Sequence, residues 1–325
     1  ESTCPKISFL KLEIENIPEI YKGSLDNYFK DLSLNKNNLF TDVSNYLSYE
    51  TGQPTHCYDA STMSGKLSFH EIEKNEEFET LLDKKITLTG KNSVFSLNHD
   101  VINLAGIVGG KNTACSTDTK TVIVECAFFQ PEAIIGKSVK YDIQSEASHK
   151  FERGVDPACH ETVLRRFINL VSEYSNIKKM SFVSYKYEDI SAHKIPVDVN
   201  KINQIIGINI SEDEYLSYLL KLGFTIDNSL ITVPSYRSDI ETQNDLAEEV
   251  ARVIGYNNIQ KKELSIPKGN ISNNYDIENK LRYFLLDQGF YEVVNSPFVN
   301  SSLDMSITVD NPLDTTPPGI ASSSP

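Results

Sequence analysis

Short runs of alternating apolar residues, separated by glycine-rich turns, fill the first 185 or so residues of this 325-residue chain. Residues 7–14 and 121–124 are two such runs, and alternation of this kind puts every second side chain on one face of a β-strand. Two stretches with apolar residues three and four apart, at about residues 24–32 and 161–174, have the period of amphipathic helices. Strands and helices mixed in this order predict an α+β fold in which both helices pack on a sheet.

The length of the chain predicts more than one domain, because a single hydrophobic core seldom grows beyond about 250 to 300 residues. Hydrophobic residues make up 39% of the sequence, which is enough to give each domain a core. We expect a first domain over residues 1–190, a small second domain over residues 191–262, and a third segment over residues 263–325.

The second and third segments carry helix signals of their own. Ser211 and Glu214 have the spacing of a capping box at the start of a helix, and Gly223 follows as its terminator. Residues 277–288 form a further amphipathic pattern. The tail, residues 317–325, has little to bury and is expected to be disordered.

The charge of the sequence argues against strong nucleic-acid binding by this chain alone. Its net charge is −14, whereas lysine and arginine contacts to phosphate supply most non-specific affinity for nucleic acid.

The five cysteines are odd in number and form no CxxC pair, so neither a zinc framework nor a disulfide scaffold is indicated, and a reducing cytoplasm is expected. No run of about 18 apolar residues and no signal-peptide pattern is present, and we expect neither membrane nor DNA as a partner.

The segment QSEASHKFERGVDP, residues 144–157, has an order of small, charged and helix-breaking residues that no periodic helix or strand requires. It therefore indicates a functional site. Further blocks accompany it in the sequence: DVSNY at 42–46, GQPTHCYD at 52–59, LAGIVGG at 104–110, VPSYRSDI at 233–240 and DLAEEVARVIGY at 245–256.

Together these blocks resemble the beta subunit of bacterial phenylalanine–tRNA ligase, whose corresponding motifs read DVTNY, GQPLHAFD, LAGIMGG, VPSWRxDI and DLIEEVARIYGY. The resemblance covers most of residues 1–260. It implies a mixed-sheet editing domain of B3/B4 type, then a winged-helix-like domain of B5 type, then the start of a class II synthetase-like segment that is truncated. The family's other domains find no match, so we expect an internal fragment or a truncated form.

The resemblance also implies an activity. The family enzyme attaches phenylalanine to tRNA(Phe) with ATP as an (αβ)₂ heterotetramer, in which the alpha subunit binds most of the ATP and carries the aminoacylation site. The beta subunit hydrolyses tyrosine that was attached to tRNA(Phe) in error. We do not expect this chain alone to aminoacylate. The alternative is a non-catalytic scaffold or interaction module for the alpha subunit.

Glu125 and His56 are the expected catalytic residues of the editing site. An editing pocket for tyrosine needs a buried acceptor for the phenol proton, and Glu125 lies in an apolar run where an unpaired carboxylate costs several kcal/mol, roughly. Periodicity alone instead favours Glu125 as a solvent-facing strand residue or as the partner of Arg153, and the resemblance reverses that expectation. His56 matches the family histidine that positions the hydrolytic water or the terminal adenosine, and imidazole can both donate and accept near neutral pH.

The same resemblance implies the residues that line the pocket and bind the aminoacyl ester. Small side chains let backbone groups approach a ligand, although a tight turn explains the glycines as well. The expected lining residues are Ser44, Asn45, Ala105, Gly106, Ser145 and Ala147.

Four carboxylates of the second domain, Asp239, Asp245, Glu248 and Glu249, match positions that hold Mg²⁺ in the family. Carboxylate oxygens suit this hard cation, and positions 245, 248 and 249 are three and four apart at the start of a helix. The alternative is that Asp245 opens the helix and forms an Asp-x-x-Glu capping box with Glu248, where acidic residues also complement the helix dipole.

Overall fold

The computed structural model describes residues 3–188, 190–261, 273–294, 298–299, 306–308 and 319–321. The chain divides into two compact units, Glu1–Gln260 and Lys261–Pro325. The first unit contains the expected first and second domains, and a boundary between them near residue 190 stays a prediction. No helix in the described ranges is long and apolar enough to cross a membrane.

Ten strands and six helices build the amino-terminal part of the first unit, together with a short 3₁₀ turn at Lys111–Thr113. A second 3₁₀ turn, Tyr256–Asn258, follows in the carboxy-terminal part. The strands are β1 Lys6–Ile14, β2 Thr55–Asp59, β3 Leu67–Ile72, β4 Glu76–Glu79, β5 Lys85–Leu88, β6 Asn92–Leu97, β7 Asp100–Leu104, β8 Val108–Gly109, β9 Thr121–Phe128 and β10 Ile177–Lys186. The helices are α1 Gly23–Asp31, α2 Leu39–Thr51, α3 Pro131–Ile134, α4 Lys137–Tyr141, α5 Glu146–Phe151 and α6 His160–Ser172.

Two four-stranded sheets and one hairpin organise this part. The first sheet has the order β10-β1-β9-β2, the second has the order β3-β6-β7-β8, and β4 pairs with β5. Every strand pair described in the chain is antiparallel. The expected α+β class is confirmed, but the expectation of a mixed sheet is wrong: neighbouring strands here run in opposite directions.

The first sheet has a hydrophobic core on each of its faces. One face packs on α1, α2 and α6 through residues such as Leu12, Val43 and Phe167. The other packs towards the second sheet through residues such as Ala127 and Phe95. Strand alternation sends successive residues of β9 to opposite cores, so Glu125 and its neighbours Val124 and Cys126 point in opposite directions.

Helix ends follow the sequence signals. The Asn38 side chain accepts a hydrogen bond from the Thr41 backbone N–H at the start of α2, and Gly52 ends that helix in the left-handed conformation with φ 78°. Asparagine is a favoured N-cap and glycine a favoured residue after the last turn. Helix α2 thereby carries Ser44 and Asn45 to a fixed place beside β2.

The carboxy-terminal part of the first unit has its own core, which includes Ile202, Tyr215, Leu219 and Val250. A three-stranded sheet of order β11-β13-β12 lies with three helices. The capping box of Ser211 and Glu214 is confirmed. A winged-helix relationship for this part stays a prediction. Its elements are β11 Lys194–Pro196, α7 Val199–Ile206, α8 Glu212–Lys221, β12 Thr225–Asp227, β13 Leu230–Thr232 and α9 Gln243–Ile254.

The second unit contains α10 Asn273–Asp287 and a small sheet, β14-β16-β15, formed by Phe298–Val299, Gly319–Ala321 and Ser306–Thr308. The helix expected at residues 277–288 is therefore confirmed. The tail was expected to be disordered, and this is wrong for Gly319–Ala321, which pair with both neighbouring strands. The rest of the tail lies outside the described residues. A class II synthetase-like segment stays a prediction.

Candidate functional site

A cavity of about 690 Å³ lies where α2, β2, β9 and α5 meet the turn between β7 and β8. It brings together residues as far apart in the sequence as Asn37 and Phe151. Seven of the eight expected site residues line it, namely Ser44, Asn45, His56, Gly106, Glu125, Ser145 and Ala147. Ala105 does not line the cavity; it is 1% exposed and packs in the core beneath.

Glu125 is a buried carboxylate, 4% exposed. The Tyr58 hydroxyl donates a hydrogen bond of 2.6 Å to Glu125 Oε2, and Asn103 Nδ2 donates one of 2.8 Å to the Tyr58 oxygen. Burial raises the pKa of Glu125 to about 7, and the hydrogen bond from Tyr58 opposes that rise. The solvent-facing alternative is wrong, and Arg153 bonds to His149 instead of Glu125.

His56 lies directly opposite Glu125, across the ladder between β2 and β9. Its ring packs edge-on against the Tyr58 ring at 4.4 Å between centroids. The His56 Nε2 atom is buried and has no hydrogen-bond partner among the described residues. Burial lowers the pKa of His56 to about 4, so its imidazole is neutral at pH 7 and can serve a water or a ligand hydroxyl as donor or acceptor.

Two glycines make room for this arrangement. A Cβ atom at Gly109 would lie 2.2 Å from His56 Cε1 and 2.7 Å from Nε2. Gly106 has φ 71°, a conformation that glycine adopts without strain, and a Cβ there would lie 2.6 Å from Ile134 Cδ1. The glycines of LAGIVGG are therefore needed for close packing around the cavity as well as for its turn.

Local hydrogen bonds fix the polar residues of the lining. Ser44 Oγ bonds to the Thr55 carbonyl oxygen at 2.7 Å, which ties α2 to β2. Ser145 caps α5 and donates to the Ile107 carbonyl oxygen at 2.8 Å. Asn45 is exposed, at the edge of the cavity. Ser44 and Ser145 thus position backbone around the cavity.

The rest of the lining is mainly apolar or neutral. Phe129, Phe151 and Ile107 contribute apolar surface, and the charged side chains of the described lining are the carboxylates Glu125 and Glu146, with no lysine or arginine. The thiols of Cys57 and Cys115 also line it, and burial raises the pKa of both. Both thiols are protonated at neutral pH and are poor nucleophiles.

The four carboxylates expected to hold Mg²⁺ do not form one cluster. Across the described residues, no group of three His, Cys, Asp or Glu side chains is placed to hold a metal ion. Arg237 forms paired hydrogen bonds with Asp239, at 2.9 and 2.7 Å, and with Glu249, at 3.0 and 2.9 Å. Glu248 is exposed whereas Glu249 is buried, because consecutive helix residues face different directions.

Asp245 does belong to a capping box, but as the third residue of α9 with Thr242 as the N-cap, and not as the N-cap partner of Glu248. Its Oδ2 accepts from the backbone N–H groups of Glu241 and Thr242, and the Thr242 side chain completes the capping box of α9. These contacts lower the pKa of Asp245. As placed in this structure, the four side chains do not fit a Mg²⁺ site. Mg²⁺ binding by these residues, which the resemblance implies, therefore stays a prediction.

Comparison with known proteins identifies two domains on this framework. The B3/4 domain family matches residues 18–176, which contain the cavity, and the tRNA synthetase B5 domain family matches residues 195–256. The chain is 32% identical over 302 residues to the phenylalanine–tRNA ligase beta subunit of Ehrlichia canis, and 31% identical over 293 residues to that of Francisella tularensis. These alignments cover 89% and 84% of this chain.

The chain belongs to the phenylalanine–tRNA ligase beta subunit family. It spans 38% and 37% of the length of these two relatives. The crystal structure of an N-terminal fragment of the Pyrococcus horikoshii phenylalanyl-tRNA synthetase beta subunit aligns over 78% of this chain and 72% of that one, at 14% identity and a TM-score of 0.36. A score this low gives no support to a shared overall arrangement.

The sequence motifs do not single out Tyr58, which donates to Glu125, or Asn103, which donates to Tyr58. The signal was present at Tyr58, since the GQPLHAFD motif of the family has phenylalanine where this sequence has tyrosine. It was not interpretable, because the partner carboxylate lies 67 residues away on another strand.

Proposed function

We propose that the cavity is an editing site that hydrolyses tyrosine from mischarged tRNA(Phe). The observation that supports this most directly is Glu125, a buried carboxylate lining a cavity whose other walls combine apolar residues with mostly uncharged polar ones. A carboxylate in such a place favours a ligand that brings a hydrogen-bond donor. A site built to bond a hydroxyl rejects the analogue that lacks it, because its buried acceptor is then left without that partner.

Water is the proposed nucleophile. The thiols in the lining are protonated, and no serine of the lining is paired with a histidine in the described structure: Ser44 and Ser145 bond to oxygens of the chain. His56 has a free Nε2 directly across the ladder from Glu125. It would position the attacking water and take part in proton transfer as the ester bond breaks, releasing tyrosine and tRNA.

The proposal extends to the whole enzyme of the family. In that setting this chain works with an alpha subunit as part of an (αβ)₂ assembly, tRNA(Phe) is the substrate of both activities, and ATP-dependent attachment of phenylalanine takes place mainly in the alpha subunit. The negative charge of the chain fits a division in which other parts hold the tRNA phosphates. The proposal includes a cytoplasmic location, which is supported by five cysteines that suggest neither a disulfide scaffold nor a zinc framework.

A scaffold role for the alpha subunit is the second candidate. The edge strand β10 favours it, since Met180, Phe182 and Tyr185 are 59%, 54% and 47% exposed. Exposed apolar residues along an edge strand are suited to contact with another protein.

The deciding experiment compares hydrolysis of tyrosyl-tRNA(Phe) and phenylalanyl-tRNA(Phe) by this chain, with and without a cognate alpha subunit. Faster loss of tyrosine is expected. His56→Ala is expected to reduce hydrolysis of tyrosyl-tRNA(Phe) without unfolding the chain. If neither ester is hydrolysed with the alpha subunit present, the editing proposal fails and the scaffold role is favoured.

A further inference from the structure

Tyr58 contacts both residues to which the proposed function assigns the chemistry. Its hydroxyl donates to Glu125 Oε2 at 2.6 Å, and its ring packs against the His56 ring at 4.4 Å. The side chain is completely buried and does not line the cavity. Tyr58 therefore lies behind the site and touches the ligand only through its neighbours.

A third residue fixes the direction of the Tyr58 hydroxyl. Asn103 Nδ2 donates to the Tyr58 oxygen, and an amide nitrogen can only donate. The hydrogen of the Tyr58 hydroxyl therefore points at the Glu125 carboxylate. In the series of hydrogen bonds from Asn103 through Tyr58 to Glu125, the carboxylate is the final acceptor.

We infer that Tyr58 is a positioning residue for tyrosine selectivity, which occupies Oε2 of Glu125 and leaves Oε1 for the hydroxyl of the substrate. The inference rests on the proposed function and deepens it. A carboxylate accepts two hydrogen bonds readily, one on each oxygen. With Oε2 occupied by a residue of the chain, the ligand hydroxyl meets a single, oriented acceptor.

The titratable surroundings make Glu125 the group whose charge changes near neutral pH. Burial lowers the pKa of His56 and raises that of every thiol nearby, so these groups are uncharged at pH 7. Phe9 is the neighbour of Glu125 on β1 and is apolar. The titratable groups that face or adjoin Glu125 are Tyr58 and His56 on β2, Cys57 on β2, Cys126 on β9, and Cys4 before β1.

The test is Tyr58→Phe, which installs the residue of the family motif and preserves the shape of the side chain. Loss of the donor raises the pKa of Glu125, because the Tyr58 hydrogen bond holds it down. At pH 7 we expect selectivity for tyrosyl over phenylalanyl ester to fall about tenfold, the effect of one hydrogen bond to a charged group. Raising the pH should restore it, since the carboxylate form then returns.

The matched control is Tyr141→Phe. Tyr141 is also a buried tyrosine whose hydroxyl bonds to an asparagine, Asn92, at 2.8 Å, but it does not contact Glu125. We expect its selectivity and pH dependence to match the parent chain. Unchanged or increased selectivity in Tyr58→Phe, or a reduction that higher pH does not restore, would overturn the inference.

A second measurement separates this inference from the proposed function. The pKa of Glu125 can be followed by the ¹³C carboxyl signal of labelled glutamate, assigned with Glu125→Gln. If the parent chain hydrolyses neither ester, the editing proposal fails, but a higher Glu125 pKa in Tyr58→Phe still supports the role of Tyr58. An unchanged pKa overturns that role even where editing is observed.

Discussion

His56 on β2 and Glu125 on β9 are direct neighbours across one antiparallel ladder. Side chains directly opposite in such a ladder have Cβ atoms about 5 Å apart, so the sheet itself sets the spacing between the proposed acceptor and the proposed water-positioning group. Neither residue depends on a mobile loop for its place. The reactivity of the site should therefore respond sharply to small changes in these two strands.

Replacing Glu125 by glutamine should abolish discrimination between the two esters. The amide has one acceptor oxygen and no charge, so it bonds the phenol more weakly, and selectivity should fall at least about tenfold. Competing hydrolysis of tyrosyl- and phenylalanyl-tRNA(Phe) measures this. Glu146→Gln is the control, since Glu146 is an exposed carboxylate of the same lining. Full selectivity in Glu125→Gln would remove this residue from the site.

Glu125 should also make stability depend on pH. Its pKa is raised from 4.5 to about 7 in the folded chain, so the folded state binds the proton more tightly than the unfolded state. Protonation of Glu125 therefore stabilises the folded state fully below the unfolded pKa, and this stabilisation, about 3 kcal/mol, is lost as the pH rises through about 7. Urea denaturation at pH 5 and pH 8 should show Glu125→Gln gaining stability over the parent at pH 8. If the free energy of unfolding changed by the same amount between pH 5 and pH 8 in the parent and in Glu125→Gln, the assigned pKa would be contradicted.

A methyl group at Gly109 should displace His56. The Cβ of Gly109→Ala would lie 2.2 Å from the imidazole, a distance that forces one of the two to move. We expect hydrolysis of both esters to fall, with selectivity changed less than the rate, because the phenol acceptor stays in place. Gly52→Ala is the comparison: its Cβ meets nothing within 4 Å, although its φ is 78°. Equal activity in both variants would show that His56 is dispensable.

The role of Asp245 can be separated from metal binding by two variants. Loss of the capping box in Asp245→Ala should lower the free energy of unfolding by about 1 kcal/mol. Glu248→Gln should leave stability unchanged, since Glu248 is exposed. Calorimetric titration with Mg²⁺ then decides. A capping role predicts the same Mg²⁺ affinity in parent and both variants, whereas a four-carboxylate site predicts weaker binding in both.

Local signals in the sequence predicted much of the fold. The capping box at Ser211 and the glycine that follows α8, Gly223, act within one or two helical turns, so they can be recognised without knowledge of the tertiary structure. Of the eight residues expected at the editing site, seven line the cavity. Ala105 was the exception: the turn places Gly106 towards the cavity and Ala105 into the core.

Contacts between distant residues were the part that sequence could not predict. Tyr58 and Glu125 meet only because β2 and β9 are neighbours in the sheet. Arg237 was passed over beside four acidic residues, yet its planar guanidinium bonds two of them at once, a geometry that charge spacing does not reveal. Such pairings depend on which strands and helices become neighbours, and no local pattern encodes that.

The charge of the cavity lining has a consequence for how a substrate enters. The described lining residues include two carboxylates, Glu125 and Glu146, and no cation, so any net charge of the lining is negative. A phosphate group is repelled from such a space, whereas the free ammonium of an aminoacyl ester is attracted. For the substrate proposed here, a mischarged tRNA, this charge favours entry of the amino acid and keeps the nucleotide backbone at the rim.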